Sequence, residues 1–148
     1  MKLNIDGRLA VISGAAGGIG MATAKVLAED GARLFLTDTS EEALAEAADT
    51  LGDSVVGSHA ADLTDGKAVA ALAERVAAQG SADILVHMAG ITGAKGDPLE
   101  MSDDDWFACW NTNFMSAVRM TRALVPGMVA KGWGRVVFTV SENAVQPY

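Results

Sequence analysis

The sequence is poor in cysteine, proline, aromatic residues and positive charge: one Cys, three Pro, 5% aromatics, and 11 Lys and Arg against 19 Asp and Glu. A lone Cys109 has no internal partner, which excludes a disulfide-stapled scaffold and fits a reducing compartment, so the cytoplasm is expected. The formal charge of -8 opposes binding to a phosphate backbone, and nucleic acid is not expected as a partner. No stretch approaches the roughly 18 apolar residues of a spanning helix. The opening MKLNIDGRLAVIS reaches only a short apolar run before Ser13 and Gly14, too short for a signal-peptide core. Neither a membrane partner nor export is expected, and no low-complexity tract or internal repeat is visible.

What is present is apolar. Half of the 148 residues are hydrophobic, enough for one core, so residues 1–148 read as a single domain. Short runs rich in branched residues recur as LAVIS (9–13), LFLT (34–37), SVVG (54–57), ILVH (84–87) and RVVFTV (135–140), the pattern of strands buried on both faces. Between them lie helical spacings: Ala22, Val26 and Leu27; Ala43, Leu44, Ala47 and Leu51; Val69, Leu72 and Val76; then one long helix from about Asp103 to Lys131. Thr39 with Glu42, and Ser102 with Asp105, fit helix starts in which a side chain caps the first turn. Pro126 predicts a kink or weakened turn near 122–125. Strand and helix alternate throughout, which implies an α/β fold with a doubly wound parallel sheet of about five strands. In such a sheet a ligand sits at the carboxyl ends of the strands.

The first strand runs into Ser13-Gly14-Ala15-Ala16-Gly17-Gly18-Ile19-Gly20 and then a helix. Glycines allow positive φ and leave no Cβ between the backbone and a pyrophosphate, and the free N–H groups of a helix start favour negative charge. Gly14, Gly18 and Gly20 are the expected key positions, although the spacing is G-x-x-x-G-x-G and not G-x-G-x-x-G. Asp38, at the end of the second strand, is placed to accept hydrogen bonds from the hydroxyls of an adenosine ribose. The alternative is a helix-start charge, since a helix follows at once.

Several linked pieces resemble the short-chain dehydrogenase/reductase family. Ser13 to Gly20 resembles that family's TGxxxGIG turn, with Ile19 inside it. Asp62-Leu63 resembles its adenine-contacting pair, and His87-Met88-Ala89-Gly90 stands where it has NNAG. Asn113, seven residues after Trp106, resembles its helix asparagine, and Gly134 to Ser141 resembles the strand that ends in its catalytic serine. Met88 departs from the pattern, and the loss of a polar link between the central strands is expected there.

The resemblance implies a Rossmann-like NAD(H)-dependent oxidoreductase that moves a hydride between nicotinamide and a small-molecule alcohol or ketone. Ser141 would orient the substrate oxygen and Asn113 would hold a water in the proton relay. Gly14, Gly18, Ile19, Gly20, Asp38, Asp62, Leu63, Met88, Ala89 and Gly90 would hold the cofactor. A homo-oligomer paired through the long helix is implied too. The family's Tyr-x-x-x-Lys falls about a dozen residues beyond its serine. Tyr148 is only seven beyond Ser141, so the chain is expected to stop short of that motif, and these residues alone to lack turnover. The rivals are a dinucleotide-binding module without catalysis, an inactive fragment, and a methyltransferase, which shares the glycine turn and the strand-two acid.

The remaining candidates read as structure. His87 and His59 have no second ligand at metal spacing, and no metal site is expected. Asp103, Asp104 and Asp105 suit the positive end of a helix dipole. Trp106, Trp110, Met115 and Met120 fit a buried or subunit-facing helix side, and Cys109 an inert core thiol.

Overall fold

A computed structural model describes residues 3–93 and 97–141. Its sheet contains β1 (Leu9–Ser13), β2 (Arg33–Asp38), β3 (Val55–Ala60), β4 (Ile84–His87) and β5 (Arg135–Phe138). All pair in parallel in the order β3-β2-β1-β4-β5. The chain walks outward from β1 to β3, returns to the other side of β1 as β4, and continues outward to β5. This is the doubly wound arrangement, and the direction of winding reverses between β1 and β4.

The helices are α1 (Gly18–Glu29), α2 (Glu41–Leu51), α3 (Gly66–Gln79), α4 (Asp103–Trp110) and α5 (Ser116–Lys131). Strand residues alternate between two buried layers. Ala10, Ile12, Leu34 and Leu36 pack with Ala24, Leu27, Leu44 and Ala47 of α1 and α2. Leu9, Val11, Phe35 and Leu85 pack on the other face with Leu72, Val76, Met120 and Leu124 of α3 and α5. The Phe35 ring occupies the place where a Cβ on Gly57 would lie, 2.8 Å away, next to a shift in the β2–β3 pairing register.

Several boundaries differ from those read in the sequence. β3 runs to Ala60 because Ala60 pairs with Asp38 at the end of β2. β5 stops at Phe138 because β4, its only partner among the described residues, offers residues 84–87 and no more. The first turn of α2 is capped by Ser40, whose Oγ accepts the Ala43 N–H at 3.1 Å, and not by Thr39, whose N–H and hydroxyl both go to Asp38. Ser102 and Asp105 do form the expected reciprocal capping box on α4.

The long helix is broken, but not at its proline. A π-helical turn, Asn111–Met115, separates α4 from α5, whereas α5 continues through Pro126 as helix. Met120 is buried as expected. Trp106 and Trp110 are more than half exposed, with Trp110 stacked on Phe114 at a centroid distance of 4.3 Å.

At the amino-terminal edge of the sheet, Asp83 accepts from the Leu9 N–H at 2.9 Å and from Lys131 Nζ at 2.6 Å, with Arg8 at 3.3 Å. Burial pushes the Asp83 pKa up. The Lys131 and Leu9 hydrogen bonds and the charges of Lys131 and Arg8 outweigh it and hold the carboxyl below its usual range. The guanidiniums of Arg8 and Arg135 both lie over the Trp133 ring, 4.1 and 4.9 Å from its centre. No helix among the described residues is long and apolar enough to cross a membrane.

Candidate functional site

The reversal between β1 and β4 opens a cleft of about 480 Å³ over the carboxyl ends of the strands. Gly14, Asp38, Asp62, Leu63, Met88, Ala89 and Gly90 line it, so segments far apart in sequence converge on one concave surface. The floor is the glycine turn, and its glycines have different reasons to be there. Gly14 has φ of +65°, and a Cβ on it would lie 2.8 Å from the Ala89 nitrogen. Gly20 is buried behind the turn, where a Cβ would run into the Gly14 carbonyl. Gly18 faces outward, with nothing within 4 Å of the position a Cβ would take.

The close approach at Gly14 thus packs the turn against the loop after β4 and that at Gly20 packs the turn on itself, whereas a side chain at Gly18 would meet nothing. Gly18, Ile19 and Gly20 lie outside the cleft lining, since the helix carries them away from it, and Ile19 is 67% exposed. No side chain caps α1, whose cap residue is Gly17. Its first N–H groups thus have no side-chain competitor for an anion.

Asp38 closes one end of the cleft. Its Oδ2 accepts the Ala16 N–H at 3.0 Å and its Oδ1 accepts the Thr39 N–H at 2.8 Å, which fixes the carboxylate against the turn. On the neighbouring strand end, Asp62 accepts from the Thr64 hydroxyl at 2.7 Å and the Thr64 N–H at 2.8 Å. These bonds hold its pKa below the usual carboxylate value, more than slight burial raises it. Among the described residues that line the cleft the only charged side chains are these two carboxylates.

The wall after β4 is held by Asn113. Its Oδ1 accepts the Ile91 N–H at 2.7 Å and its Nδ2 donates to the Ile91 carbonyl at 2.9 Å, so the side chain is committed to the loop backbone. The same Nδ2 lies 3.2 Å from Cys109 Sγ. Cys109 is half-buried beside this pair and not a core thiol, and its place one helical turn before Asn113 puts the two on one side of the helix.

Ser141 lies three residues beyond β5, exposed, at the same edge of the sheet as the cleft. Tyr148 lies outside the described residues. His87 is 4% exposed and hydrogen-bonded to Ser13 at 2.9 Å and Ser116 at 3.0 Å, the satisfied strand-end histidine expected of it. The polar link expected to be lost at Met88 is thus carried by its neighbour: His87 ties β4 to β1, while Met88 lines the cleft with its sulfur against the Thr139 hydroxyl.

Other residues of the site carried no signal in the sequence. Thr112, in the π-helical turn, and Ser116, at the start of α5, line the cleft. Arg119 donates to Asn111 Oδ1 at 2.7 Å and approaches the Leu63 carbonyl at 3.4 Å, tying that turn to the Asp62 loop.

The short chain dehydrogenase family profile matches residues 8–148. An uncharacterized oxidoreductase of Bacillus subtilis (strain 168), YvaG, is 36% identical over 151 residues, covering 99% of this chain and 56% of that protein. Among solved structures, L-sorbose reductase from Gluconobacter frateurii complexed with NADPH and L-sorbose superposes with a TM-score of 0.93 at 39% identity, over 100% of this chain and 57% of the other. NAD+-bound xylitol dehydrogenase does so at 0.91 and 31%, over 97% and 56%. The chain spans just over half the length of the relatives it matches. With its parallel sheet, its glycine turn and a family match running from Arg8 onward, the chain belongs to the short-chain dehydrogenase/reductase family.

Proposed function

We propose that this chain is the NAD(H)-binding domain of an oxidoreductase acting on a small-molecule alcohol or ketone. The observation that carries the reading is the convergence of the glycine turn, Asp38, the Asp62-Leu63 pair and Met88-Ala89-Gly90 on one cleft at the switch point. The donor set fits a dinucleotide. The start of α1 offers uncapped N–H groups and open space at Gly18 for a pyrophosphate. Asp38, braced by two backbone N–H groups, offers its remaining lone pairs to a ribose. Asp62 and Leu63 would border the adenine, and Ala89 and Gly90 the far half of the cofactor.

When bound, the nicotinamide accepts or donates the hydride. Ser141 would orient the substrate oxygen. Asn113, with its side chain committed to Ile91, would shape the loop and the π-helical turn through which a proton relay passes. The tyrosine and lysine of the family's relay are not among these residues at the family's spacing. Turnover is therefore proposed for a protein that carries them, and cofactor binding for the residues described here.

NAD is favoured over NADP because the 2′-phosphate would face the Asp38 carboxylate in a cleft lined by no Lys or Arg among the described residues. Like-charge contact costs on the order of several kcal/mol, or about 100-fold in affinity. Titrating the purified protein with each cofactor checks this, and equal dissociation constants would refute it. A second copy of the chain is proposed to cover the exposed Trp106, Phe107, Trp110 and Phe114. Light scattering should then give a mass above that of one chain, and a monomer in dilute solution would count against it.

A further inference from the structure

We propose that His87 is a positioning residue: its ring couples the glycine turn to the π-helical turn carrying Asn113, through a hydrogen-bond chain of fixed direction. The inference rests on the NAD-binding reading for its consequence, though not for its geometry.

The direction follows from which groups can only donate or only accept. Ser116 Oγ contacts the Thr112 carbonyl, and a carbonyl only accepts, so the serine's single hydrogen points there. At its 3.0 Å contact with His87 Nε2 the serine oxygen must then accept, and Nε2 carries the proton. At the other end the Ala89 N–H can only donate to Ser13 Oγ, at 3.3 Å. Ser13 can accept there and give its own hydrogen to His87 Nδ1 at 2.9 Å, which carries none.

The chain therefore reads Ala89 N–H to Ser13 O–H to Nδ1, and Nε2–H to Ser116 O–H to the Thr112 carbonyl, with every donor matched to an acceptor. Ser13, His87 and Ser116 are 0%, 4% and 1% exposed, so no member has ready access to water as a substitute partner. Burial pushes the imidazole pKa below its ordinary value, which keeps the ring neutral at neutral pH. The groups facing the ring are uncharged: Ser13 on β1, Phe138 on β5 at a centroid distance of 6.3 Å, and Ser116 on α5.

What the chain joins gives it a consequence. Ala89 is cleft wall and sits against Gly14, while Thr112 precedes Asn113, which holds Ile91 on the same wall. A shift at the glycine turn on cofactor binding is thus transmitted to the turn that carries the asparagine.

Nitrogen-15 NMR of the purified protein reads the His87 tautomer without any ligand. A proton on Nε2 is expected, and a proton on Nδ1 would overturn the proposal. The Asn113 side-chain amide resonance and the NAD dissociation constant are then compared for Ser116→Ala, His87→Leu and His87→Gln, the glutamine retaining one acceptor and one donor. Ser116→Ala should move the Asn113 resonance while changing NAD affinity less than His87→Leu, which should weaken it about fivefold, the usual effect of one lost neutral hydrogen bond. His87→Gln should restore affinity to within about twofold, a small fraction of one hydrogen bond. An unmoved Asn113 resonance in well-folded Ser116→Ala, or no rescue by glutamine, would mean that the histidine only fills space. If the unsubstituted protein binds no NAD, the functional reading falls, and the tautomer and the Asn113 resonance still decide the role of His87.

Discussion

β1 and β5 are both short runs rich in apolar residues, LAVIS and RVVF, and both pair in parallel with β4, yet every residue of β1 is buried and every residue of β5 is exposed. The difference lies outside the strands. β1 has β2 and β4 beside it and helices over both faces, whereas β5 has one neighbouring strand among the described residues, and its Val136, Val137 and Phe138 are 38%, 48% and 47% exposed. Apolar residues in succession specify a strand suited to burial on both faces, but the burial itself is supplied by neighbours. The Asp38 and Asp62 side of the cleft is built from the covered part of the sheet. The Ser141 side is built on the uncovered part.

The comparison can be broken most severely at the glycine turn. Gly20→Val should prevent folding, because the new side chain meets the Gly14 backbone. Gly18→Val, two residues away in open space, should leave the melting temperature near that of the parent and abolish NAD binding by filling the pyrophosphate position. Calorimetry and cofactor titration of the two variants separate these effects. A folded Gly18→Val protein with unchanged affinity would show that the turn is only a turn.

A smaller contrast is expected between Leu34→Ala in the covered region and Val137→Ala at the edge. Leu34 is fully buried, and its truncation should cost about 2–5 kcal/mol. Val137 is half exposed and should stay within about 0.5 kcal/mol of the parent. Denaturant unfolding measures both, and equal losses would erase the distinction between the two strands.

The mildest test is pH. His87 has its folded pKa lowered by burial, so its contribution is complete above the unfolded value of about 6.5 and is lost as pH falls through the folded one. Asp83, also lowered, contributes above its unfolded value of about 3.9 and is lost as pH falls further. Stability should therefore decline in two stages on acidification. In His87→Gln the first stage should disappear while the second remains.

Much of this was legible in the sequence because it depends on local pattern. Five apolar runs gave five strands, the Ser102 and Asp105 pair gave a helix start, and the glycine turn and Asp38 fell where a switch point needs them. The π-helical turn was not legible, since nothing in NTNFM distinguishes it from continuing α-helix, and neither was the placement of Thr112 and Ser116 in the cleft, which only the fold brings beside the strand ends. The Ser40 cap was misread as Thr39 because Asp38 competes for Thr39, a competition visible only when the strand end and the helix start are seen together. The strand tie at His87 escaped for a similar reason: its partners lie 74 and 29 residues away, and only the fold brings them to the ring.

Trp133, with the Arg8 and Arg135 guanidiniums over its ring at the amino-terminal edge, sits at the opposite end of the sheet from the cleft, while Trp106 and Trp110 stand exposed on α4. The intrinsic fluorescence of the protein is therefore spatially resolved. Iodide or acrylamide reaches the α4 indoles first, so their quenching reports whether that surface is covered. The Trp133 signal, with its indole held against two cations, reports whether the strands remain gathered at their starting ends. Red-shifted emission from Trp133 would accordingly mark the opening of that edge, even while the α4 indoles stayed unchanged.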